Sequence, residues 1–118
     1  MKKKVVLVQD NKDILDIMDQ VLDEEGFDVT ASLTTEPIDK IEEIKPDIVV
    51  IDDHIKGTKK GSKIIKELKS DPETEDISAV LTSTSEKLPE IAKESKADDY
   101  IQKPFEIDDM IEVVKKNV

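Results

Sequence analysis

The chain has 118 residues, 36% hydrophobic and 40% charged, with 29 acidic side chains against 18 basic ones and a net charge of −11. That length suits one domain with a real core, expected over residues 1–118, while the acidity argues against binding phosphate backbones and favours cations and basic protein patches. The absence of cysteine excludes disulfides, thiolate metal sites and thiol nucleophiles, and suits a reducing cytoplasm.

Lys2–Lys4 leads into Val5-Val6-Leu7-Val8, an apolar run too short for a signal-peptide core. No run reaches the length of a membrane span, so no membrane association is expected. Val5–Val8 is apolar on both faces and predicts a buried parallel strand. Ile14, Ile17, Met18, Val21 and Leu22 then share one face of a first helix, with Asn11 or Asp13 available to cap it and Gly26 to end it. Asp28–Ala31 is a weaker strand. A second helix is expected from Pro37 through Ile38, Ile41 and Ile44, since proline favours the first turn. Ile48-Val49-Val50-Ile51 repeats the doubly apolar strand pattern. A third helix follows Gly61 with Ile64, Ile65 and Leu68. Ala79–Leu81, a fourth helix over about residues 88–94, and Asp99–Ile101 come next. A last helix carries Ile107, Met110, Ile111 and Val114, with Asp108 and Asp109 near its start and Lys115 and Lys116 near its end, as the helix dipole favours.

Five β-α units predict an α/β fold, a five-stranded parallel sheet in a doubly wound three-layer sandwich. Ligands in such folds sit beyond the carboxyl ends of the strands. Those ends carry Gln9-Asp10, Asp52-Asp53, Thr82-Ser83-Thr84 and, after the fifth strand, Lys103-Pro104. Carboxylates, a hydroxyl and an ammonium converging there can hold a divalent cation and a phosphoryl group, and a carboxylate can itself be the nucleophile.

Three segments resemble the receiver domain of two-component response regulators. Residues 4–11 (Lys-Val-Val-Leu-Val-Gln-Asp-Asn) resemble its first strand and acidic pair, residues 45–52 (Lys-Pro-Asp-Ile-Val-Val-Ile-Asp) its phosphoacceptor strand, and residues 98–105 (Asp-Asp-Tyr-Ile-Gln-Lys-Pro-Phe) its end signature. The resemblance implies a flavodoxin-like fold of the stand-alone, chemotaxis-regulator type. It implies a domain that takes a phosphoryl group from a histidine kinase or phosphotransfer protein, assists its own phosphorylation and dephosphorylation without being a conventional enzyme, and works in the cytoplasm. Asp52 matches the phosphoacceptor. Asp10, Asp52 and the His54 carbonyl match the Mg²⁺ ligands. Ser83 matches the hydroxyl that contacts the phosphoryl group, Lys103 the lysine that pairs with it, and Tyr100 the aromatic switch. Lys103-Pro104 matches a peptide bond that is usually cis. A downstream protein would dock on the face formed by the fourth helix, fifth strand and fifth helix, and the resemblance allows homodimerisation on activation. With no residues left for an output domain, the expectation is a relay, a partner-binding output or a fragment of a longer chain.

Two positions have competitors. Counting from Pro46 selects Asp52 as acceptor, whereas counting back from Gly61 selects Asp53. Ile55-Lys56-Gly57 resembles a loop variant with one extra residue, which favours Asp52. Thr82, Ser83 and Thr84 compete for the hydroxyl role, and Ser83 stands twenty residues before Lys103, as in members with a shortened fourth helix. Gln9 replaces the first acid of the pair. It can hold a metal-bound water through its carbonyl but brings no charge, so weaker Mg²⁺ binding is expected, and a phosphorylation-independent pseudo-receiver is the alternative. An aspartate-nucleophile phosphatase is a further alternative, although His54 stands where such enzymes place a second acid. Lys96 stands where glycine is common. Asp10 and Asp52 are expected to crowd like charges, so that Asp52→Asn raises the melting temperature of the metal-free protein.

Overall fold

The computed structural model describes residues 2–56 and 59–118. Gly57 of the loop variant lies outside the described residues.

The two runs that are apolar on both faces lie side by side in the sheet interior. They are β1 (Lys4–Val8) and β3 (Ile48–Asp52). The described residues form one parallel sheet in the order β2-β1-β3-β4-β5, with β2 at Asp28–Ser32, β4 at Ser78–Ser83 and β5 at Asp99–Gln102. Every residue of β3 is buried, whereas β2 and β5 are edge strands with mixed exposure. Edge position explains why those two strands carry weaker apolar patterns.

Side chains alternate across a strand, and two packed cores result. Val5, Leu7, Ile48, Val50, Val80 and Ile101 face α1 (Lys12–Glu24) and α6 (Ile107–Lys116), meeting Met18, Leu22, Met110 and Val114. Val6, Val8, Val49, Ile51, Ala79 and Leu81 face the opposite layer, meeting Ile41, Ile65, Leu68, Leu88 and Ala92. That layer holds α3 (Ile41–Ile44), α4 (Gly61–Lys69) and α5 (Leu88–Ser95). Each fully buried aliphatic side chain contributes roughly 1.5–3 kcal/mol, so these two layers dominate the stability.

Local signals explain most helix boundaries. The Asn11 side chain accepts from the Ile14 N–H and starts α1. Gly26, at φ +95°, turns the chain out of it, while the Phe27 N–H returns to the Leu22 carbonyl. The single second helix expected from Pro37 is instead two short ones, α2 (Glu36–Asp39) and α3. The Lys40 N–H bonds to the Pro37 carbonyl three residues back, a tight turn that interrupts the helix between the two. Among the described residues, the two left-handed non-glycine residues, Lys45 and Lys96, each end a helix.

Candidate functional site

The alternation that builds the two cores also sorts the residues at the carboxyl edge. Asp52 continues the Ile48-Val50 row, Thr82 the Val80 row and Lys103 the Ile101 row, so all three lie on the α1/α6 side. Asp53 and Ser83 follow the Ile51 and Leu81 rows and belong to the α4/α5 side. Chain neighbours therefore have different surroundings.

Asp52 is 4% exposed. Its Oδ1 lies 2.7 Å from the Lys103 ammonium and accepts a 2.8 Å hydrogen bond from the Thr82 hydroxyl. Its Oδ2 accepts from the His54 N–H at 3.1 Å. The Lys103 side chain is 9% exposed, so this is a buried ion pair. The pair corrects the expected charge crowding: Asp52 has a cation and two further donors, and its removal would strand a buried ammonium.

Asp53 has a different task. Its carboxylate accepts from the Ser62 N–H at 2.9 Å and its carbonyl from the Gly61 N–H, which satisfies donors at the start of α4. Lys60, at the cap position, makes no such side-chain bond. Gly61 itself touches β3. A methyl group there would overlap the Asp52 carbonyl oxygen and stand 2.9 Å from the carbonyl carbon, so the close approach of α4 requires glycine.

Gln9 differs most from expectation. Instead of facing outward to hold a water, its side chain is fully buried, with Nε2 donating to Thr82 Oγ1 at 3.0 Å. The reason is satisfaction: a neutral amide can be buried once a partner is present, and Thr82 supplies it. No buried side-chain nitrogen or oxygen is left without a partner among the described residues.

The remaining candidates ring this centre. Asp10 is partly exposed beside the exposed His54 ring, with 3.9 Å between Oδ2 and Nε2. The Ser83 hydroxyl accepts from the Ser85 N–H and makes no hydrogen bond to Asp52. Tyr100, opposite Leu81, is 39% exposed on the outer strand. Lys103-Pro104 is a cis peptide, and the Lys103 N–H bonds to the Ser83 carbonyl. The structure thus brings together Gln9, Asp52, Thr82 and Lys103, while Ser83 and Tyr100 stand apart. Thr82 was one of three hydroxyls open in the sequence. Its register partnership with Asp52 is the signal that separates it from the others, and register is not visible in a single chain.

Among solved structures, the chain resembles the chemotaxis response regulator CheY4 of Vibrio cholerae, with a TM-score of 0.87, 17% identity and full coverage of both chains. A CheY-like receiver domain protein from Methanospirillum hungatei JF-1 gives a TM-score of 0.86 at 24% identity, covering 98% of this chain and 93% of the other. The response regulator DrrB, a Thermotoga maritima OmpR/PhoB homologue, gives 0.84 at 26% identity, and there 98% of this chain covers 52% of a longer one. The family model described as the response regulator receiver domain matches residues 5–115, nearly the whole chain. On that match, carried by a sheet and a carboxyl edge of the corresponding design, the chain belongs to the response regulator receiver domain family.

Proposed function

We propose that the chain is a phosphoacceptor signalling domain in which Asp52 receives a phosphoryl group from a histidine kinase or phosphotransfer protein. The observation that carries this reading is the buried Asp52 carboxylate at the carboxyl edge of the sheet, paired with Lys103 at 2.7 Å. Attack by a carboxylate oxygen on phosphorus forms an acyl phosphate, and the Lys103 ammonium is close enough to neutralise the incoming charge.

Members of the family generally bind Mg²⁺. Here Asp10, Asp52 and the His54 carbonyl make a hard-oxygen set with only two carboxylates, which suits an ion that keeps waters and takes phosphate oxygens. When bound, the ion supplies charge neutralisation for phosphoryl transfer. Ser83 then turns toward the phosphoryl group, Tyr100 follows, and the face of α5, β5 and α6 changes shape for a downstream protein.

Intact mass after incubation with acetyl phosphate and Mg²⁺ tests the proposal. The wild-type chain should gain one phosphoryl group and Asp52→Asn none. Label that survives Asp52→Asn but is lost with Asp53→Asn would overturn the assignment. The inward turn of Gln9 favours a second reading, a binding module that works without phosphorylation. A wild-type chain that takes no label supports that one instead.

A further inference from the structure

We propose that Thr82 is a positioning residue for Asp52, oriented by Gln9, and that this pair shortens the lifetime of the acyl phosphate. The inference rests on the reading of Asp52 as phosphoacceptor and concerns a hydroxyl other than Ser83.

Thr82 is the register partner of Asp52 on β4 and is fully buried. Its hydroxyl has one proton and two acceptors within reach, Asp52 Oδ1 at 2.8 Å and Gln9 Oε1 at 3.4 Å. The shorter, charge-assisted bond wins that proton. Gln9 Nε2 donates to the hydroxyl oxygen at 3.0 Å, which occupies one of its lone pairs and leaves the proton aimed at Asp52. An acid at position 9 would do the reverse, because a carboxylate only accepts and would draw the proton to itself. The amide is thus the side chain that this chain of hydrogen bonds requires.

The arrangement distinguishes the two carboxylate oxygens. Oδ1 is tied inward by Thr82, and Oδ2 becomes the oxygen that bonds to phosphorus. Lys103 is a flexible side chain and can follow the phosphoryl group, whereas Thr82 is fixed in the strand and stays on Oδ1. In the acyl phosphate Oδ1 is a neutral carbonyl. During hydrolysis a water oxygen bonds to phosphorus and the Oδ2–P bond breaks. Its electron pair returns to the carboxyl group, and both protons of the water leave with inorganic phosphate. Negative charge therefore returns to Oδ1 as the bond breaks, and the Thr82 hydrogen bond changes from neutral to charge-assisted. A bond that strengthens along the reaction path lowers its barrier. The difference between the two kinds of bond is worth about tenfold in rate.

The test labels the whole chain with acetyl phosphate and Mg²⁺, removes the donor and follows loss of the phosphoryl group by intact mass. Thr82→Val, close in shape but without the hydroxyl, should lengthen the lifetime about tenfold. Thr82→Ser keeps the donor and should decay like wild type, a rescue that a packing role would not produce. Gln9→Glu leaves Thr82 in place but diverts its proton, and should also lengthen the lifetime, so the idea stays testable if Thr82→Val does not fold. Wild-type decay in both Thr82→Val and Gln9→Glu overturns the inference, as does a Thr82→Ser lifetime as long as that of Thr82→Val. A wild-type chain that takes no label defeats the phosphoacceptor reading as well. A labelled wild type with unchanged decay in the variants defeats this inference alone.

Discussion

Aspartates stand at both ends of the sheet, and their partners differ. At the amino edge, Asp47 accepts from the Lys4 N–H and Asp98 from the Ala79 N–H, each at 2.8 Å, so both tie the start of a strand. Asp98 also pairs with Lys69, and Asp99 is held by Asn117, Lys116 and the Tyr100 N–H. At the carboxyl edge, Asp52 leans mainly on two side chains, Lys103 and Thr82. A carboxylate bonded to strand backbone is part of the scaffold. One bonded to a lysine and a buried hydroxyl has a movable cation beside it, which suits the acceptor role proposed for Asp52. Asp53 shows that sequence position does not decide between the two kinds, since it adjoins Asp52 yet serves the backbone of α4.

The sharpest way to break this comparison is to remove the Asp52 charge. Asp52→Asn leaves the buried Lys103 ammonium without its counter-ion, and stability should fall by about 3 kcal/mol, at the low end for a broken buried pair. This reverses the rise expected from charge crowding, and urea melts of the metal-free protein decide the sign. A variant as stable as wild type would mean that the ion pair does not hold Asp52.

Asp53→Ala should cost about 1 kcal/mol, the loss of one helix-capping acceptor, while the chain still takes the phosphoryl label. A variant that keeps full stability but loses the label would erase the distinction between the two neighbours.

The smallest effect concerns Asp99 and pH. Burial pushes its carboxyl upward, but the Asn117 amide, the Tyr100 N–H and Lys116 together outweigh that and hold it below the ordinary carboxylate value. With the folded value depressed, the stabilisation is present above the unfolded carboxylate range and is lost as pH falls through the folded value. Asn117→Ala should therefore cost a few tenths of a kcal/mol more at neutral pH than in strong acid, where only its bond to the Val113 carbonyl is still lost. Melts at the two pH values compare the variant with wild type. A difference equally large at both pH values would assign the whole loss to the Val113 bond and packing, with no share from the Asp99 charge.

Much of this was legible in the chain, for physical reasons. β1 and β3 are apolar on both faces because helices cover both. Lys96, where glycine is common, does adopt a left-handed conformation at φ 65°. The break at Lys40 was not visible, because Ile38, Ile41 and Ile44 keep helical spacing across a tight turn. The edge residues were legible as a set but not as partners. Asp10, Asp52 and Lys103 announce themselves by type and position, whereas the inward turn of Gln9 depends on Thr82, distant in sequence and adjacent only through the register of separate strands. Likewise, the capping role of Asp53 depends on where α4 begins relative to β3, a tertiary fact that the spacing from Gly61 did not carry, since it pointed to Asp53 only as a rival acceptor.

The burial of Gln9 also sets the electrical balance of the resting site. With an amide there, Asp10, Asp52 and Lys103 between them carry a single unit of net negative charge, and it falls to Asp10, which is partly exposed and outside the Lys103 pair. An acid at position 9 would double that excess and bury the addition, so the fold would lean on a bound cation as its counterweight. Here Lys103 offsets the Asp52 charge from within the chain, so the fold should survive strong chelation even where the proposed phosphoryl transfer needs a divalent ion.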